Sequence, residues 1–284
     1  MKNPFKVISN LSLILAIGLF FSSCGKDALT PATDINDLQA LASTETACVD
    51  INLHVYLEGA YAPDRGAMTT DLHLRGLLPG QTLNGIGTPT PDGQPYNVAP
   101  WNYDGKEGDN WTDANYTGGE TDWILVSFRT DKAKSTEIAA AAALVNKDGS
   151  VTFVDDCVLE SDIADEVYVV IEHRAHMGVM TDKLIDITDG ELTYDFRVQD
   201  SYTNGMASVG QKEIAPGVWA MFAGDTDQTD EVSYDINGSD NIWYLYNGNF
   251  NIYLVADCNL DGDINGADKH MWMANNGYSS RVPK

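Results

Sequence analysis

From Val49 onward the chain alternates strictly. Val49, Ile51, Leu53, Val55 and Leu57 point one way, and Asp50, Asn52, His54 and Tyr56 point the other. A side-chain period of two belongs to a strand with one face in a core and the other toward solvent. Further strands are expected at 69–74, 122–129, 151–154, 166–173, 192–197 and 217–222. Lys147-Asp148-Gly149 marks a hairpin between 138–145 and 151–154. The alanine run 139–143 has helical propensity, but its place before that turn favours a strand. Short strands separated by Gly, Asp and Asn, without alternating helices, imply a mainly β fold: an antiparallel β-sandwich over residues 47–222.

Charge narrows the function. The chain has 284 residues and 42 Asp+Glu against 17 Lys+Arg, a net charge of −25. Apolar residues at 43% and aromatics at 10% are enough for a core, so wholesale disorder is excluded. The acidity argues against nucleic acid, which needs clustered Lys and Arg, and against adhesion to anionic lipid by charge alone. It suits divalent cations.

Residues 1–23 read as an export signal: Lys2 and Lys6 precede the apolar run Leu11–Phe21, which is too short to span a bilayer. Phe21-Ser22-Ser23-Cys24 then resembles the bacterial lipobox. That resemblance implies a lipid on Cys24, an outer-membrane or cell-surface location, and attachment to the membrane through the N-terminal lipid. Residues 24–46 are small and polar and read as the acylated Cys and a flexible tether. Three cysteines remain, Cys48, Cys157 and Cys258, so one stays a thiol or pairs between chains. Cys48 opens a strand and Cys157 lies in a polar turn; a bridge between them is expected in an oxidising compartment. No C-x-x-C pair offers a structural zinc site.

The last part of the chain repeats itself. Asp235-Ile236-Asn237-Gly238-Ser239-Asp240 returns as Asp263-Ile264-Asn265-Gly266-Ala267-Asp268. Each copy is followed by a tryptophan, Trp243 or Trp272, and by Asn-Gly, Asn247-Gly248 or Asn276-Gly277. This is a duplicated unit of loop, short helix and glycine stop. In the second copy, residues 257–268 place side-chain oxygens at loop positions 1 (Asp257), 3 (Asn259), 5 (Asp261), 9 (Asn265) and 12 (Asp268). Gly262 stands at position 6, the carbonyl of Asp263 is available at 7, and apolar Ile264 is at 8. A hard cation with six to eight oxygen ligands selects this pattern. In the first copy Asp225, Asp227 and Thr229 begin a loop, but Asp240 comes 15 residues after Asp225 instead of 11 and the position-6 glycine is missing. Either the loop is expanded and binds through Asp225, Asp227, Thr229 and Asp240, with Asp230 and Asp235 as substitutes, or it has lost the ion.

A calcium loop that ends in Asp, has a following helix but no entering one, and occurs twice in about 60 residues resembles the dockerin type I module. The resemblance covers 223–284 and implies a small α module with two calcium loops, calcium as cofactor and a protein partner. It also implies partner contacts just before the last ligand of each loop, at Gly238 and Ser239 and at Gly266 and Ala267. These residues depart from the commoner hydroxyl pair. A module of about 60 residues has little apolar surface of its own, so it is expected to draw folding free energy from the metal. The whole chain is also similar to a group of Bacteroidota surface proteins, through Leu57-Glu58-Gly59-Ala60-Tyr61, Ala99-Pro100-Trp101-Asn102-Tyr103 and the stretch 172–181. Some members of that group are described as adhesins.

Three functions compete. The first is a non-enzymatic, calcium-binding docking or adhesion protein with a surface protein as partner. The second is an adhesin for polysaccharide using the aromatic loop 96–116, whose Tyr96, Trp101, Tyr103, Trp111 and Tyr116 otherwise pin the loop to the body. The third is a hydrolase. No Gly-x-Ser-x-Gly elbow, Walker loop or His-Glu-x-x-His helix is present. His173 and His176, three apart on an expected strand, should face opposite ways unless the strand bends. The non-enzymatic reading is preferred. Metabolic labelling with a fatty acid should mark the wild-type chain and leave Cys24→Ala unlabelled; label retained by the variant refutes the lipid site.

Overall fold

The computed structural model describes residues 47–82, 92–198, 201–203, 210–229, 232 and 242–283; Cys24, Gly238, Ser239 and Asp240 lie outside these. The chain is mainly β, with several antiparallel sheets and few helices. In order the strands are β1 (Asp50–His54), β2 (Tyr61–Ala62), β3 (Ala67–Met68), β4 (Glu120–Arg129), β5 (Glu137–Asn146) and β6 (Val151–Phe153). They continue as β7 (Glu166–His173), β8 (His176–Met180), β9 (Ile185–Asp186), β10 (Glu191–Asp195), β11 (Lys212–Ala215) and β12 (Val218–Ala220). The helices are α1 (Asp71–Arg75), α2 (Ile242–Tyr246) and α3 (Gly266–Ala274).

The largest sheet runs β6-β5-β4-β7-β8, with β9 also paired to β7, and all its pairings are antiparallel. Every residue of the central strand β4 is buried. The alanine run is a strand because of its neighbour: Ala143, Ala142, Ala141 and Ala139 stand opposite Ile124, Leu125, Val126 and Phe128. Packing beside large side chains overrides alanine's helical preference. In β7, Val167, Val169 and Ile171 enter the main core, while Tyr168 and Val170 join Met180 and Val282 in a smaller cluster. Burial on both faces explains why β7 reads as a continuous apolar run.

Two expectations need correction. The alternating strand β1 pairs with β10 in parallel, Asp50 opposite Glu191 through His54 opposite Asp195. A parallel pair requires a long crossover, which the intervening large sheet supplies. Residues 69–74 are not a strand. Asp71–Arg75 is one helical turn that buries Leu72, leaves Leu74 exposed, and stops at Gly76 with φ of +71°.

The C-terminal repeats interlock. The N–H of Gly248, the stop of the first copy, donates to Ile264 in the loop of the second. The N–H of Gly277, the stop of the second, donates to Val232 in the first. Trp243, Trp272, Ile264 and Val232 share one apolar cluster with Met177 and Phe222 from the β body. Residues on the two sides of position 222 therefore pack together, and Glu45–Lys284 is one compact unit.

Cys48 and Cys157 are disulfide-bonded across a separation of 109 residues, and Cys258 is a buried thiol. Closing a loop of that length removes about 4–5 kcal/mol of unfolded-state entropy in the chain-entropy model. Cys157→Ser should therefore lower the free energy of urea unfolding by about 2–5 kcal/mol. A loss below about 0.5 kcal/mol would show that the bridge leaves the unfolded chain unconstrained.

Candidate metal centre and the buried network beneath it

The loop 257–268 is folded by its own oxygens. Asp257 accepts the N–H of Asp261 at 3.1 Å on Oδ1 and that of Gly262 at 2.9 Å on Oδ2. Asp268 accepts from Cys258 at 2.8 Å and Asn259 at 3.2 Å on Oδ1, and from Asn265 at 2.8 Å on Oδ2. Asn259 Oδ1 takes the Asp261 N–H at 3.2 Å, and Asp261 Oδ1 takes the Asp263 N–H at 2.8 Å. Gly262 turns with φ of +83°, and a Cβ there would stand 2.4 Å from Leu77. Asn265 caps α3 by accepting from Ala267, while Asp268 closes the reciprocal bond of a capping box. Asp263 turns its side chain away, to Arg75 Nη1 at 2.6 Å and the Asn251 N–H at 3.1 Å. Gly266 and Ala267 are exposed at the start of α3.

Asp257 and Asp268 have no solvent exposure. Burial, reinforced by Asp268, pushes the Asp257 carboxyl well above its ordinary value, against the opposing pull of Arg174. Burial and the nearby Asp261 push Asp268 up to about 6. Two buried carboxylates thus stand in a donor set made wholly of oxygen, the chemistry a hard divalent cation takes. Among the described residues, no three His, Cys, Asp or Glu side chains are gathered as a ready cluster; the oxygens are spread round the loop on its backbone N–H groups. In the first copy, Thr229 donates its N–H to Asp225 at 3.1 Å and to Asp227 at 3.2 Å, and Asp225 is fully buried. Its remaining expected ligand, Asp240, is outside the described residues.

The loop presses on the body. Leu260 is part of the main core. A Cβ on Gly59 would lie 1.8 Å from the carbonyl oxygen of Cys258, so only glycine fits there. Glu58, next to it, accepts from Lys212 Nζ, from the Ala223 N–H at 3.0 Å and from Asn275 Nδ2 at 2.6 Å. The Leu57–Tyr61 motif is therefore a seat for the C-terminal segment.

Beneath the seat is a network that strand alternation did not anticipate. β7 ends at His173, the chain turns at Arg174 and Ala175, and His173 pairs across to His176. The two imidazoles meet Nδ1 to Nδ1 at 2.9 Å. The condition under which they converge is met: β7 ends at His173 and the chain turns before β8 begins at His176. Their tautomers follow from the backbone. Gly59 N–H donates to His176 Nε2 at 3.2 Å, so His176 carries its proton on Nδ1 and gives it to His173 Nδ1. His173 Nδ1 also accepts the Ala175 N–H at 3.1 Å, and its Nε2–H donates to Asp122 Oδ2 at 3.0 Å. Asp122 Oδ2 takes Arg174 Nε at 2.9 Å as well, and Oδ1 takes the Tyr253 hydroxyl at 2.6 Å. Burial raises the Asp122 carboxyl, but Arg174, His173 and Tyr253 together leave it below its ordinary value. Burial holds both histidines below theirs; Asp122 opposes it at His173, whereas at His176 the neighbouring His173 and Arg174 reinforce it, so His176 lies farther down. Both imidazoles and the Asp122 carboxylate are fully buried, and every nitrogen of the two histidines has a partner.

The aromatic loop packs. Tyr96 donates its hydroxyl to the Trp123 carbonyl at 2.7 Å and Tyr116 to that of Pro79 at 2.6 Å. Tyr103 bonds Glu107 and the Ala140 carbonyl. Trp111 lies against Trp123 with centroids 5.4 Å apart.

No family model and no curated protein matches the chain. Among solved structures, an N-terminal interface mutant of a type II cohesin–X–dockerin complex from Acetivibrio cellulolyticus matches at a TM-score of 0.33 and 14% identity, over 55% of this chain and 82% of that one. A likeness that low carries no argument.

Because His173 and His176 are held neutral, the unfolded chain binds more protons than the folded one below about pH 6.5. The contribution is fully present above that value and is lost as pH falls toward the folded-state values. In calcium-containing buffer the urea midpoint should drop between about pH 7.5 and about pH 5, and drop less in His176→Gln, whose amide can donate and accept in place of the ring. A drop of equal size in both chains refutes the assignment.

Proposed function

We propose that this chain is a calcium-binding, non-enzymatic docking or adhesion protein of the cell surface, held to the outer membrane by a lipid on Cys24, with a surface protein as its partner. The observation that carries the calcium assignment is the burial of Asp257 and Asp268 in an all-oxygen loop, both carboxyls raised by desolvation. The proposed ligands are the side chains of Asp257, Asn259, Asp261 and Asp268 and the backbone carbonyl of Asp263, with Asn265 acting through a water. Bound there, the cation would supply the positive charge that two buried carboxylates lack. Removing the ion would leave them to take up protons or repel, and the strain would fall on Leu260 and on the Gly59–Cys258 contact. In the first copy Asp225, Asp227, Thr229 and Asp240 are the proposed second set.

The docking role is proposed for the exposed start of α3, where Gly266 and Ala267 let a partner's backbone come close. Gly238 and Ser239 are its proposed counterpart in the first copy. Polysaccharide as the partner is less well supported, because the hydroxyls of Tyr96, Tyr103 and Tyr116 and the ring of Trp111 are all engaged within the body. No chemistry is proposed for His173 and His176, whose nitrogens all have partners in a sealed interior.

Isothermal titration with calcium tests the reading. The wild-type chain should bind with a stoichiometry one site higher than Asp268→Ala. Unchanged stoichiometry in the variant would reassign the loop as a polar turn.

A further inference from the structure

Between the segment 92–101 and the segment 242–255 lies a cavity of about 350 Å³. Its walls are largely apolar, with Pro95, Val98, Trp101, Tyr246, Leu254 and Val255 among them. Arg174 also lines it. The guanidinium is stacked 4.0 Å over the Tyr253 ring, with Nε committed to Asp122 and Nη1 to the Leu254 carbonyl. Its third nitrogen, Nη2, is buried and has no hydrogen-bond partner among the described residues. The same is true of Trp101 Nε1, on a ring held edge-on against Tyr96 at 4.9 Å between centroids. Three further polar residues line the wall: Asp92, which accepts the Asn110 N–H at 3.0 Å, Asn97, and Gln94, whose amide donates to the carbonyls of Tyr103 and Gly105 and whose oxygen accepts the Tyr96 N–H.

An apolar cavity of this size with few polar groups is the usual form of a small-molecule site. Buried donors are ordinarily satisfied, and leaving them unmade is costly. Two residues that line this cavity thus carry unmade donors, which an acceptor oxygen from outside the chain would satisfy. Charge selects the kind of oxygen. Arg174 already has Asp122 as counter-ion and feels Asp257 as well, so an incoming carboxylate would leave excess negative charge in a dry setting. We propose that this cavity binds a small, mostly apolar, uncharged molecule through a carbonyl or hydroxyl oxygen that accepts from Arg174 Nη2 and Trp101 Nε1. Its apolar body lies among Pro95, Val98, Tyr246 and Val255. This site is separate from the calcium loop and stands or falls independently of it.

The test is fluorine NMR of three probes, 4-fluorophenylacetamide, 4-fluorophenylacetate and 4-fluorotoluene, each titrated with the full chain in calcium-containing buffer. The amide should bind more tightly than both the carboxylate and the toluene. Trp101→Phe, which keeps the ring and loses the donor, should weaken the amide by about five- to tenfold and leave 4-fluorotoluene unchanged. Val98 is 54% exposed at the cavity's edge, so Val98→Trp should fold, fill the space and abolish binding of all three. The proposal is overturned if no probe binds, if Val98→Trp binds like wild type, or if the carboxylate or the toluene binds as tightly as the amide. An unchanged amide affinity in a folded Trp101→Phe chain also overturns it.

Discussion

Asp122 and Arg174 form an ion pair with almost no solvent exposure. Taking two charges out of water costs several kcal/mol per ion, which mutual attraction and hydrogen bonds to neighbouring groups must offset. Here those neighbours are His173, Tyr253 and the Leu254 carbonyl. These bonds fix three distant pieces of chain against one another: the start of β4, the β7–β8 turn, and residues 253–254 leading into the loop 257–268. Breaking a buried pair by removing one partner costs about 3–5 kcal/mol, a large part of the about 5–15 kcal/mol available to a folded domain. The rest of the structure packs around that pair.

The loop 257–268 inherits its position from this pair. Two residues after Leu254 is Ala256, buried with the tryptophans of the C-terminal cluster, and next comes Asp257, whose carboxyl feels Arg174. Leu260 then enters the main core, and Cys258 closes on Gly59. Glu58 holds Asn275, just past the end of α3, against Lys212 and Ala223. The segment that looks small and self-contained in the sequence thus borrows its core and its polar anchors from the β body. An ion in the loop would stabilise that seam along with the loop itself.

Local patterns were legible and distant ones were not. The alternation at 49–57 reads as β1, and Lys147-Asp148-Gly149 as the turn between β5 and β6, because each signal lies within a few residues. The Cys48–Cys157 bond was open to inference because few cysteines compete. The parallel partner of β1 carries no local signature. The turn at Arg174–Ala175 has neither Gly nor Pro, so nothing local marks the bend that brings His173 and His176 together. One signal was present and unused: Asp122 lies in an otherwise apolar strand, and an Arg lies between the two histidines. Charges at buried strand positions need partners. The reason for glycine at position 59 lies wholly in Cys258, which no spacing within Leu57–Tyr61 reveals.

The central claim is that the β body and the C-terminal repeats are one cooperative unit, joined through Asp122–Arg174 and the Gly59 seat and stabilised by an ion in the loop. Scanning calorimetry of the chain with calcium and with chelator tests it most directly. The account predicts a single transition under both conditions, moving as a whole to higher temperature when calcium is added. Two transitions, of which calcium moves one and leaves the other in place, would contradict it.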